Sequence, residues 1–523
     1  MKKLLAIMAT AAVGLAAPAT AVATAEAAPP EPPAGGIAWA PCPDNDPIMG
    51  EYLKGLECGT LKVPLDHARP QGRQIDLALT RARHTAPESR YQGVVLVNRG
   101  LWPGAIGRDL PTRFADGSTG LPTAVGSTYD WIGFDPRGVG ASDPMVTCEP
   151  YYLYPGQARP DYVPRSAAEE QVWQAKARNF AESCGDKYGD TLRHLSTEDT
   201  ARDMDLIRRA LGQQKINYLG YSYGTYLGSV YASLFPNRVR RMVLDSVVKP
   251  STAGYRSVLD QNAAFERRVE IFFAWIAKHD SYYHLGKTQA EVEANYYKGM
   301  EMVREQPIGG KVGPAEYNDI FVVNAYRTYI WTYHAQVLAD WVLRKDPAGL
   351  LENLVEPDYP ARNTVAMSSA IQCNDGSWPR DWQRWHDDFT RQYGEGNKFM
   401  TWNNAWYNAP CAYWPAPSGQ PQKVGHRKVD MLLVQPENDA ATPVGGAHEV
   451  HGLFPNSRFV LELGGVFHGA SLTANANACV NGHVIAYLRD GTRPASREGA
   501  DARCAAGPEP DPAVPAVPAA SPR

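Results

Sequence analysis

The stretch Ile216-Asn217-Tyr218-Leu219-Gly220-Tyr221-Ser222-Tyr223-Gly224 decides the fold. Its first four residues form a short apolar run that is typical of a buried strand. The next five fit the pattern G-x-S-x-G, and small and apolar residues over 224–234 follow with a helical pattern. A strand, a tight turn and a helix in this order lift the serine above the edge of a sheet. The stretch therefore predicts an α/β fold with Ser222 in a tight turn above the edge of the sheet.

The two glycines of the motif are explained by the sharpness of that turn, because side chains at Gly220 and Gly224 would clash there. The N-terminus of the following helix favours negative charge that develops near Ser222. A serine hydroxyl is a poor nucleophile until a base takes its proton. The alternative interpretation is a plain serine in a turn, and downstream acid and histidine residues distinguish the two.

Short apolar runs alternate with helical patterns on both sides of this motif. Continuous apolar strands separated by helices indicate a mostly parallel sheet with helices on both faces. The six predicted strands lie at residues 94–97, 131–134, 216–219, 241–245, 431–434 and 459–461. A further helix is predicted over 203–211, with Gly212 as its stop.

The span 249–424 breaks the alternation and predicts a large helical cap. It is rich in Trp, Tyr and His, and its helical patterns at 261–279, 288–306 and 317–344 have no strands between them. The sheet resumes after it, so the core of the fold is predicted to comprise 41–248 and 425–504. A long insertion at this place shapes a pocket in many enzymes. The alternative is a separate helical domain with no role in the site.

The two ends of the chain carry patterns that do not belong to a packed core. Two lysines and an apolar run over 4–17 precede small-residue cleavage sites, which predicts a signal peptide over 1–28 and a secreted, extracellular protein. No membrane association is expected after cleavage. Residues 29–40 are predicted to be a flexible leader, and the Ala- and Pro-rich residues 505–523 a disordered tail.

Composition narrows the class of protein. The chain has 523 residues, a formal net charge of −4, 44% hydrophobic and 21% charged residues, which is ordinary globular composition. The slight acidity argues against nucleic acid as a partner. Eight cysteines with no C-x-x-C spacing disfavour zinc ribbons, and an even number in an exported chain favours disulfides. Pairing between neighbours in sequence closes the shortest loops. The predicted pairs are Cys42–Cys58, Cys148–Cys184, Cys373–Cys411 and Cys479–Cys504.

An acid and a histidine follow two of the later strands. Asp439 lies on the loop after the strand at 431–434, and His468 lies among glycines after the strand at 459–461. In α/β proteins with this serine turn, the acid and the histidine follow the serine in that order. The sequence therefore predicts Ser222 as nucleophile, His468 as general base and acid, and Asp439 as the acid that orients the imidazole. No metal and no organic cofactor is implied.

Each of these assignments has a rival nearby. Glu437 precedes Asp439 on the same loop, but it lies close to the strand end and is expected to point elsewhere. His448 and His451 have an i, i+3 spacing that differs from the H-E-x-x-H pattern of zinc enzymes, and no third ligand is evident. They are predicted to be surface histidines.

Six segments and one cysteine carry a resemblance to a known family. They are residues 135–142, 219–226, 243–245, 372–375, 439–443 and 465–469, with Cys479. These segments resemble the secreted tripeptidyl aminopeptidases, a branch of the α/β-hydrolases related to prolyl aminopeptidases, over nearly the whole mature chain. The resemblance implies an α/β-hydrolase fold and a serine exopeptidase that releases short peptides from free N-termini.

One loop departs from that family. Its members read like N-P-G-G-P-G-G-S-G after the first of the predicted strands, whereas this chain has Asn98-Arg99-Gly100-Leu101-Trp102-Pro103-Gly104. The backbone N–H groups of Tyr223 and Leu101 are the predicted oxyanion-hole donors. A leucine would be strained at a position that needs a positive φ. We therefore expect a substrate preference that differs from that of the relatives.

The predicted function is a secreted serine hydrolase, an exopeptidase that acts through an acyl-enzyme on a peptide or small acyl substrate. Binding the substrate ammonium requires carboxylates or carbonyls in the cap, and the candidates are Asp375, Glu266 and Glu270. Asp375 is favoured as a structural turn residue. An esterase or amide hydrolase acting on small molecules is one alternative. A catalytically silent binding protein with the same fold is another, and the oligomeric state stays open.

Overall fold

A computed structural model describes residues 36–100, 103–153, 156–355, 359–417, 419, 421–473 and 476–514. The signal peptide predicted for 1–28 and the end of the tail, 515–523, lie outside the described residues. Within these ranges, no helix is both long and apolar enough to cross a bilayer.

A single sheet of ten strands organises the part of the chain that the structure describes. The strands are β1 (Ala40–Pro41), β2 (Glu57–Pro64), β3 (Gln74–Ala82), β4 (Val94–Asn98), β5 (Asp130–Phe134), β6 (Ile216–Tyr221), β7 (Val239–Asp245), β8 (Met431–Pro436), β9 (Ser457–Leu463) and β10 (Ala502–Ala505). Their order across the sheet is β1-β2-β3-β5-β4-β6-β7-β8-β9-β10. All six predicted strands are present, as β4 to β9.

The sheet is mostly parallel, as predicted. The pairs from β5 through β4 to β10 are parallel, and β1, β2 and β3 add an antiparallel edge. Parallel strands have their carboxyl ends at one edge of the sheet, so the loops after β6, β8 and β9 emerge on the same side. The predicted site residues lie on those three loops.

Helices cover both faces of the sheet, which explains the continuous apolar runs of the central strands. On one face, Leu96 packs in a cluster with Met204 and Leu227. On the other face, Val95 packs in a cluster with Phe114 and Val484. The core helices are α1 (Leu110–Ala115), α2 (Thr123–Gly126), α3 (Ala167–Tyr188), α4 (Thr197–Ala210) and α5 (Tyr223–Leu234), and the cap described next separates them from the last two.

The insertion between β7 and β8 contains ten α-helices and no named strand among its described residues. It contains α6 (Tyr255–Lys278), α7 (Asp280–Tyr283), α8 (Gln289–Glu305), α9 (Pro314–Val322), α10 (Trp331–Ala339), α11 (Ala348–Glu352), α12 (Tyr359–Asp375), α13 (Trp382–Gly394), α14 (Thr401–Asn408) and α15 (Pro410–Tyr413). The core then ends with α16 (Gly445–Leu453) and α17 (Ala478–Asp490). We call the insertion the cap.

The helical pattern at 317–344 is interrupted, in contrast to the prediction. After α9 ends at Val322, a 3-10 turn over Val323–Ala325 and a short irregular segment precede α10. The apolar spacing continues through this break because both helices bury residues in the same cap cluster, Phe321 before it and Trp331 after it. The break exposes backbone groups of residues 326–330, and one of them contacts the predicted site.

The eight cysteines are paired in sequence order, as predicted. The disulfides are Cys42–Cys58, Cys148–Cys184, Cys373–Cys411 and Cys479–Cys504, and no described cysteine is free.

The first residues of the predicted tail are ordered, which corrects the boundary at 505. Ala505 lies in β10, and the Ala506 N–H donates to the Leu463 carbonyl at 2.9 Å. Further on, the Trp275 indole N–H donates to the Pro510 carbonyl at 3.1 Å. A Pro- and Ala-rich segment still offers main-chain carbonyls as acceptors, and composition alone does not reveal that a partner lies within reach.

Candidate active site

Ser222 occupies a strained turn between β6 and α5. Its φ is 52°, a left-handed conformation that a serine adopts only where the surroundings impose it. A Cβ on Gly220 would lie 2.5 Å from the Gly224 carbonyl oxygen, and one on Gly224 would lie 2.8 Å from the Asn98 carbonyl oxygen. Both glycines are therefore required by close backbone approach, as the motif predicts.

The structure brings Asp439 and His468 into direct contact. The His468 Nδ1 lies 2.9 Å and 2.8 Å from the two carboxylate oxygens of Asp439, and both side chains are buried. The same carboxylate accepts hydrogen bonds from the Ala441 N–H at 3.0 Å and from the Thr442 hydroxyl at 2.8 Å. These contacts fix the carboxylate, which in turn fixes the imidazole and leaves its Nε2 for other partners.

Asp439 is held as a carboxylate. Burial opposes its charge, but the electrostatic attraction of His468 and the hydrogen bonds from His468 and Thr442 outweigh that effect. The pKa of Asp439 therefore lies below its ordinary value. An ionised acid at this place stabilises the positive imidazolium that forms when His468 accepts a proton.

Asp245, at the end of β7, ties the serine turn to the loop that carries His468. Its backbone carbonyl accepts the Ser222 N–H at 3.0 Å. Its carboxylate accepts the N–H groups of Ala470 at 3.0 Å and Ser471 at 2.7 Å. Burial raises the pKa of Asp245 to about 6, against the opposing effect of these hydrogen bonds. One residue thus positions both the predicted nucleophile and the predicted base.

The Ser222 hydroxyl and the imidazole are not hydrogen-bonded to each other among the described residues. Catalytic hydrogen bonds are often long or poorly aligned without substrate and tighten when it binds. The shared anchor at Asp245 keeps the two groups on neighbouring loops.

The cap also contacts the loop over residues 464–469, which we call the histidine loop. The His468 N–H donates to the Tyr326 carbonyl at 3.0 Å, within the break between α9 and α10. The Tyr326 ring lies edge-on to the imidazole, with 5.5 Å between centroids. From α6, the Arg268 Nε donates to the Val466 carbonyl at 3.0 Å. The cap therefore contributes backbone and side-chain contacts to the loop that carries the predicted general base.

Arg268 is a buried cation beside the predicted triad. Its guanidinium lies 4.7 Å from the Trp331 ring centroid, and its two terminal nitrogens have no partner among the described residues. Burial lowers the pKa of Arg268 to about 9, and the negative charge of Asp439 opposes that shift. Sequence reasoning missed Arg268 because nothing in the local pattern of α6 distinguishes it from a surface arginine such as Arg267.

One predicted oxyanion donor is already engaged. The Tyr223 N–H, at the start of α5, donates to the Gly100 carbonyl at 3.2 Å. The other predicted donor, Leu101, lies outside the described residues. A substrate oxyanion at Tyr223 must displace the Gly100 carbonyl or share the N–H with it. The loop that departs from the family thus bears directly on this donor.

Gly100 is expected to tolerate no side chain. Its φ is 55°, and a Cβ there would lie 1.8 Å from the Tyr221 carbonyl oxygen and 2.3 Å from the Gly224 nitrogen. We expect Gly100→Ala to lower the free energy of unfolding by about 3 kcal/mol, because backbone atoms must move and the conformation is strained. Thermal and urea denaturation measure the change. Gly394→Ala is the control, since nothing lies within 4 Å of its Cβ position; equal stability of the two variants would contradict the expectation.

The rival residues lie elsewhere. The Glu437 carboxylate accepts the Gly464 N–H at 2.8 Å and does not contact His468. His448 is exposed, and His451 is half-buried with its Nδ1 2.8 Å from the Ser457 hydroxyl. Neither histidine takes part in the site.

The acids considered for the substrate ammonium differ in their surroundings. Asp375, at the end of α12, accepts the Thr197 N–H at 2.8 Å and the Thr197 hydroxyl at 2.5 Å, and that hydroxyl lies 2.6 Å from the Tyr223 hydroxyl. This chain of contacts supports the structural role favoured for Asp375. Glu266 is buried, and its carboxylate accepts the Phe399 N–H at 2.8 Å. Glu270 is half-buried on the same helix.

Metal-binding potential is confined to one group in the described ranges. Cys479, His483 and Cys504 place their ligand atoms within 4.8 Å of one another. The two cysteines form a disulfide, so neither sulfur is a thiolate that could ligate a metal.

Comparisons with known proteins agree with this geometry. A family model described as an α/β hydrolase fold matches residues 97–295, and one described as TAP-like protein matches residues 397–504. The tripeptidyl aminopeptidase of Streptomyces lividans is 40% identical over 470 residues, which cover 87% of this chain and 85% of that protein.

Two mycobacterial relatives are more distant. Serine protease Hip1 of Mycobacterium tuberculosis (strain ATCC 25618 / H37Rv) is 30% identical over 88% of this chain and 90% of that protein. Carboxylesterase B of the same strain is 31% identical over 92% of this chain and 94% of that protein. These relatives are named as enzymes, which speaks against a catalytically silent binding protein. The chain belongs to the TAP-like family of α/β-hydrolases, and it is a serine hydrolase.

Proposed function

We propose that this protein is a secreted exopeptidase that releases short peptides, tripeptides above all, from free N-termini through an acyl-enzyme on Ser222. The observation that carries the proposal is the Asp439–His468 pair, anchored through Asp245 beside the strained Ser222 turn. The 40% identity to a protein named tripeptidyl aminopeptidase supports tripeptides as products, and we propose them in place of the different preference expected from the loop after β4.

The first half of the proposed reaction forms the acyl-enzyme. The Ser222 hydroxyl oxygen attacks the scissile carbonyl carbon while the His468 Nε2 takes its proton. Asp439 stabilises the resulting imidazolium through Nδ1. The negative charge on the carbonyl oxygen develops at the N-terminus of α5, where the Tyr223 N–H becomes a donor once Gly100 releases it.

Collapse of the intermediate completes the first half, and hydrolysis of the acyl-enzyme is the second half. The imidazolium donates its proton to the leaving amine, and the C–N bond breaks to leave an ester on Ser222. Water then attacks the ester carbonyl while His468 takes a proton from that water. The C–O bond to Ser222 breaks, the imidazolium returns its proton to the Ser222 oxygen, and the short peptide leaves.

An enzyme that prefers free N-termini needs a negatively charged group in its pocket to bind the ammonium of the substrate. Glu266 forms no ion pair within the described part of the chain, and burial, with Glu270 and Glu293 nearby, raises its pKa to about 7. A cation would relieve the repulsion within this acidic group. Glu266 is therefore the acid we assign to the ammonium.

Export is supported by the cysteine chemistry. Four disulfides persist in oxidising compartments, and the apolar N-terminal run with small-residue cleavage sites is typical of a secreted precursor.

Incubation with a mixed peptide library, read by mass spectrometry, is expected to yield tripeptides from peptides with free N-termini. The same peptides with acetylated N-termini should be cleaved at least 10-fold more slowly, because they lack the ammonium that a buried carboxylate would bind. A preparation of Ser222→Ala serves as the control for contaminating peptidases. Cleavage inside acetylated peptides at equal rates would contradict the exopeptidase assignment.

An esterase acting on small acyl substrates is the second candidate, favoured by the 31% identity to a protein named carboxylesterase B. Short-chain nitrophenyl esters added in parallel discriminate the two functions. Turnover of the esters with no peptide released from the library would establish the esterase instead.

A further inference from the structure

Arg327 lies on the cap beside the histidine loop, in the break between α9 and α10. Its guanidinium carbon lies 5.3 Å from the centroid of the Phe467 ring. The preceding residue, Tyr326, binds the His468 N–H through its carbonyl. The side chain of Arg327 thus contacts the ring of Phe467, the residue before the predicted general base, and its neighbour Tyr326 binds the backbone of that base.

The charge of Arg327 has no acidic partner among the described residues. By contrast, Arg304, another half-buried arginine of the cap, is paired with Asp161 at 2.7 Å. Burial lowers the pKa of the Arg327 guanidinium, and the positive charge of Arg113 adds to that effect. Partly removing a cation from water without a counter-ion costs free energy, so an unpaired arginine here points to a partner that arrives from outside.

The surroundings of Arg327 are positive and reachable. Arg113 and Arg99 both pair with the single carboxylate of Asp109. Together with Arg327 they give three positive charges against one negative charge. Phe467 is half-buried, and Tyr329, which lies 6.1 Å from the Phe467 ring, is 40% exposed. An anion can therefore approach Arg327 along this rim from solvent.

The position next to His468 identifies which part of a substrate Arg327 meets. In acyl transfer the imidazole passes its proton to the leaving amine, so the leaving group lies on the imidazole side of Ser222. Side chains of the cap that contact the histidine loop therefore lie on the side of the leaving group. For an exopeptidase acting at the N-terminus, the leaving group is the rest of the peptide.

We propose that Arg327 determines specificity by binding a carboxylate on the leaving-group side of the scissile bond. The inference rests on the proposed exopeptidase function. The planar guanidinium accommodates a carboxylate through two parallel N–H donors. That carboxylate is either the side chain of Asp or Glu directly after the scissile bond or the free C-terminus of a tetrapeptide.

Two pairs of tetrapeptides that share their first three residues show which of these two carboxylates Arg327 binds. One pair ends in alanine as the free acid or as the amide, and the other ends in glutamate amide or glutamine amide. Release of the common tripeptide gives kcat/KM for each peptide. We expect the carboxylate form of at least one pair to be preferred by roughly 10- to 100-fold, mainly through KM.

Arg327→Gln is expected to bring that preference to within about 2-fold, and Arg327→Lys to retain part of it, since the ammonium keeps the charge but not the paired donors. Arg344→Gln is the matched control, because Arg344 is an exposed cap arginine already paired with Asp340; it should keep the wild-type ratio. Thermal denaturation verifies that each variant is folded.

Each outcome bears on the inference. No preference within either pair, or a ratio unchanged in Arg327→Gln, overturns the role of Arg327 while tripeptide release leaves the proposed function standing. If the wild-type protein cleaves none of the four peptides yet hydrolyses nitrophenyl esters, the exopeptidase function fails and the inference fails with it.

Discussion

Ser222→Ala is expected to lower kcat by roughly 10⁶-fold, since removing the nucleophile of a serine triad abolishes the acyl-enzyme path. The variant should fold normally, because the conformation at 222 is fixed by the Ser222 N–H bond to the Asp245 carbonyl and by the flanking glycines. Activity on a chromogenic tripeptide substrate measures the loss. A fluorophosphonate probe should label the wild-type protein at Ser222 and leave the variant unlabelled.

Ser257→Ala is the control for this experiment. Ser257 is a half-buried cap serine whose hydroxyl donates to the Gly254 carbonyl at 2.7 Å. We expect it to keep activity and labelling close to wild type. Ser222→Ala with a tenth or more of the wild-type activity, or labelling that persists at another serine, would refute the assignment of the nucleophile.

Asp439→Asn is expected to lower kcat by about 10⁴-fold with little change in the fold. An amide can donate a hydrogen bond to Nδ1 and so stabilise the wrong tautomer of His468, and it carries no charge to stabilise the imidazolium. Rates with the tripeptide substrate measure kcat and KM separately. The loss should lie in kcat, because Asp439 contacts His468 rather than the pocket.

Glu437→Gln tests the rival acid on the same loop. The carboxylate of Glu437 binds the Gly464 N–H at the outer end of the histidine loop, and its substitution should change kcat by less than about 3-fold. The reverse pattern, with Glu437→Gln inactive and Asp439→Asn active, would reassign the orienting acid.

The central sheet was predictable because its strands are buried on both faces. The runs at β4 and β8 are apolar at nearly every position, which is the pattern the sequence analysis used. The edge strands β2 and β3 have no continuous apolar run by which they could be predicted. Buried residues alternate in them with more exposed ones, as is typical of antiparallel strands with one face towards solvent. The short β10 carries no such signal, because only one of its four residues, Cys504, is buried.

The triad can be predicted from the sequence because each of its three residues follows a strand at the same edge of the sheet. Arg268 and Arg327 were missed for the opposite reason. They lie on the cap, and only the folding of that insertion over the sheet brings them to the histidine loop. Periodicity identifies a helix and its apolar face, but it does not reveal which of its arginines meets a loop nearly two hundred residues later.

The hydrogen bond from the His468 N–H to the Tyr326 carbonyl joins two main-chain atoms. Alanine scanning of the cap would pass over it, because every side chain at 326 leaves that carbonyl in place. A chimaera with this core and the cap of another hydrolase would keep Ser222, Asp439 and His468. The His468 N–H would have no acceptor in the new cap, unless that cap placed a backbone carbonyl where the Tyr326 carbonyl lies. The cap and the core of this chain are therefore coupled through the main chain and not only through side chains.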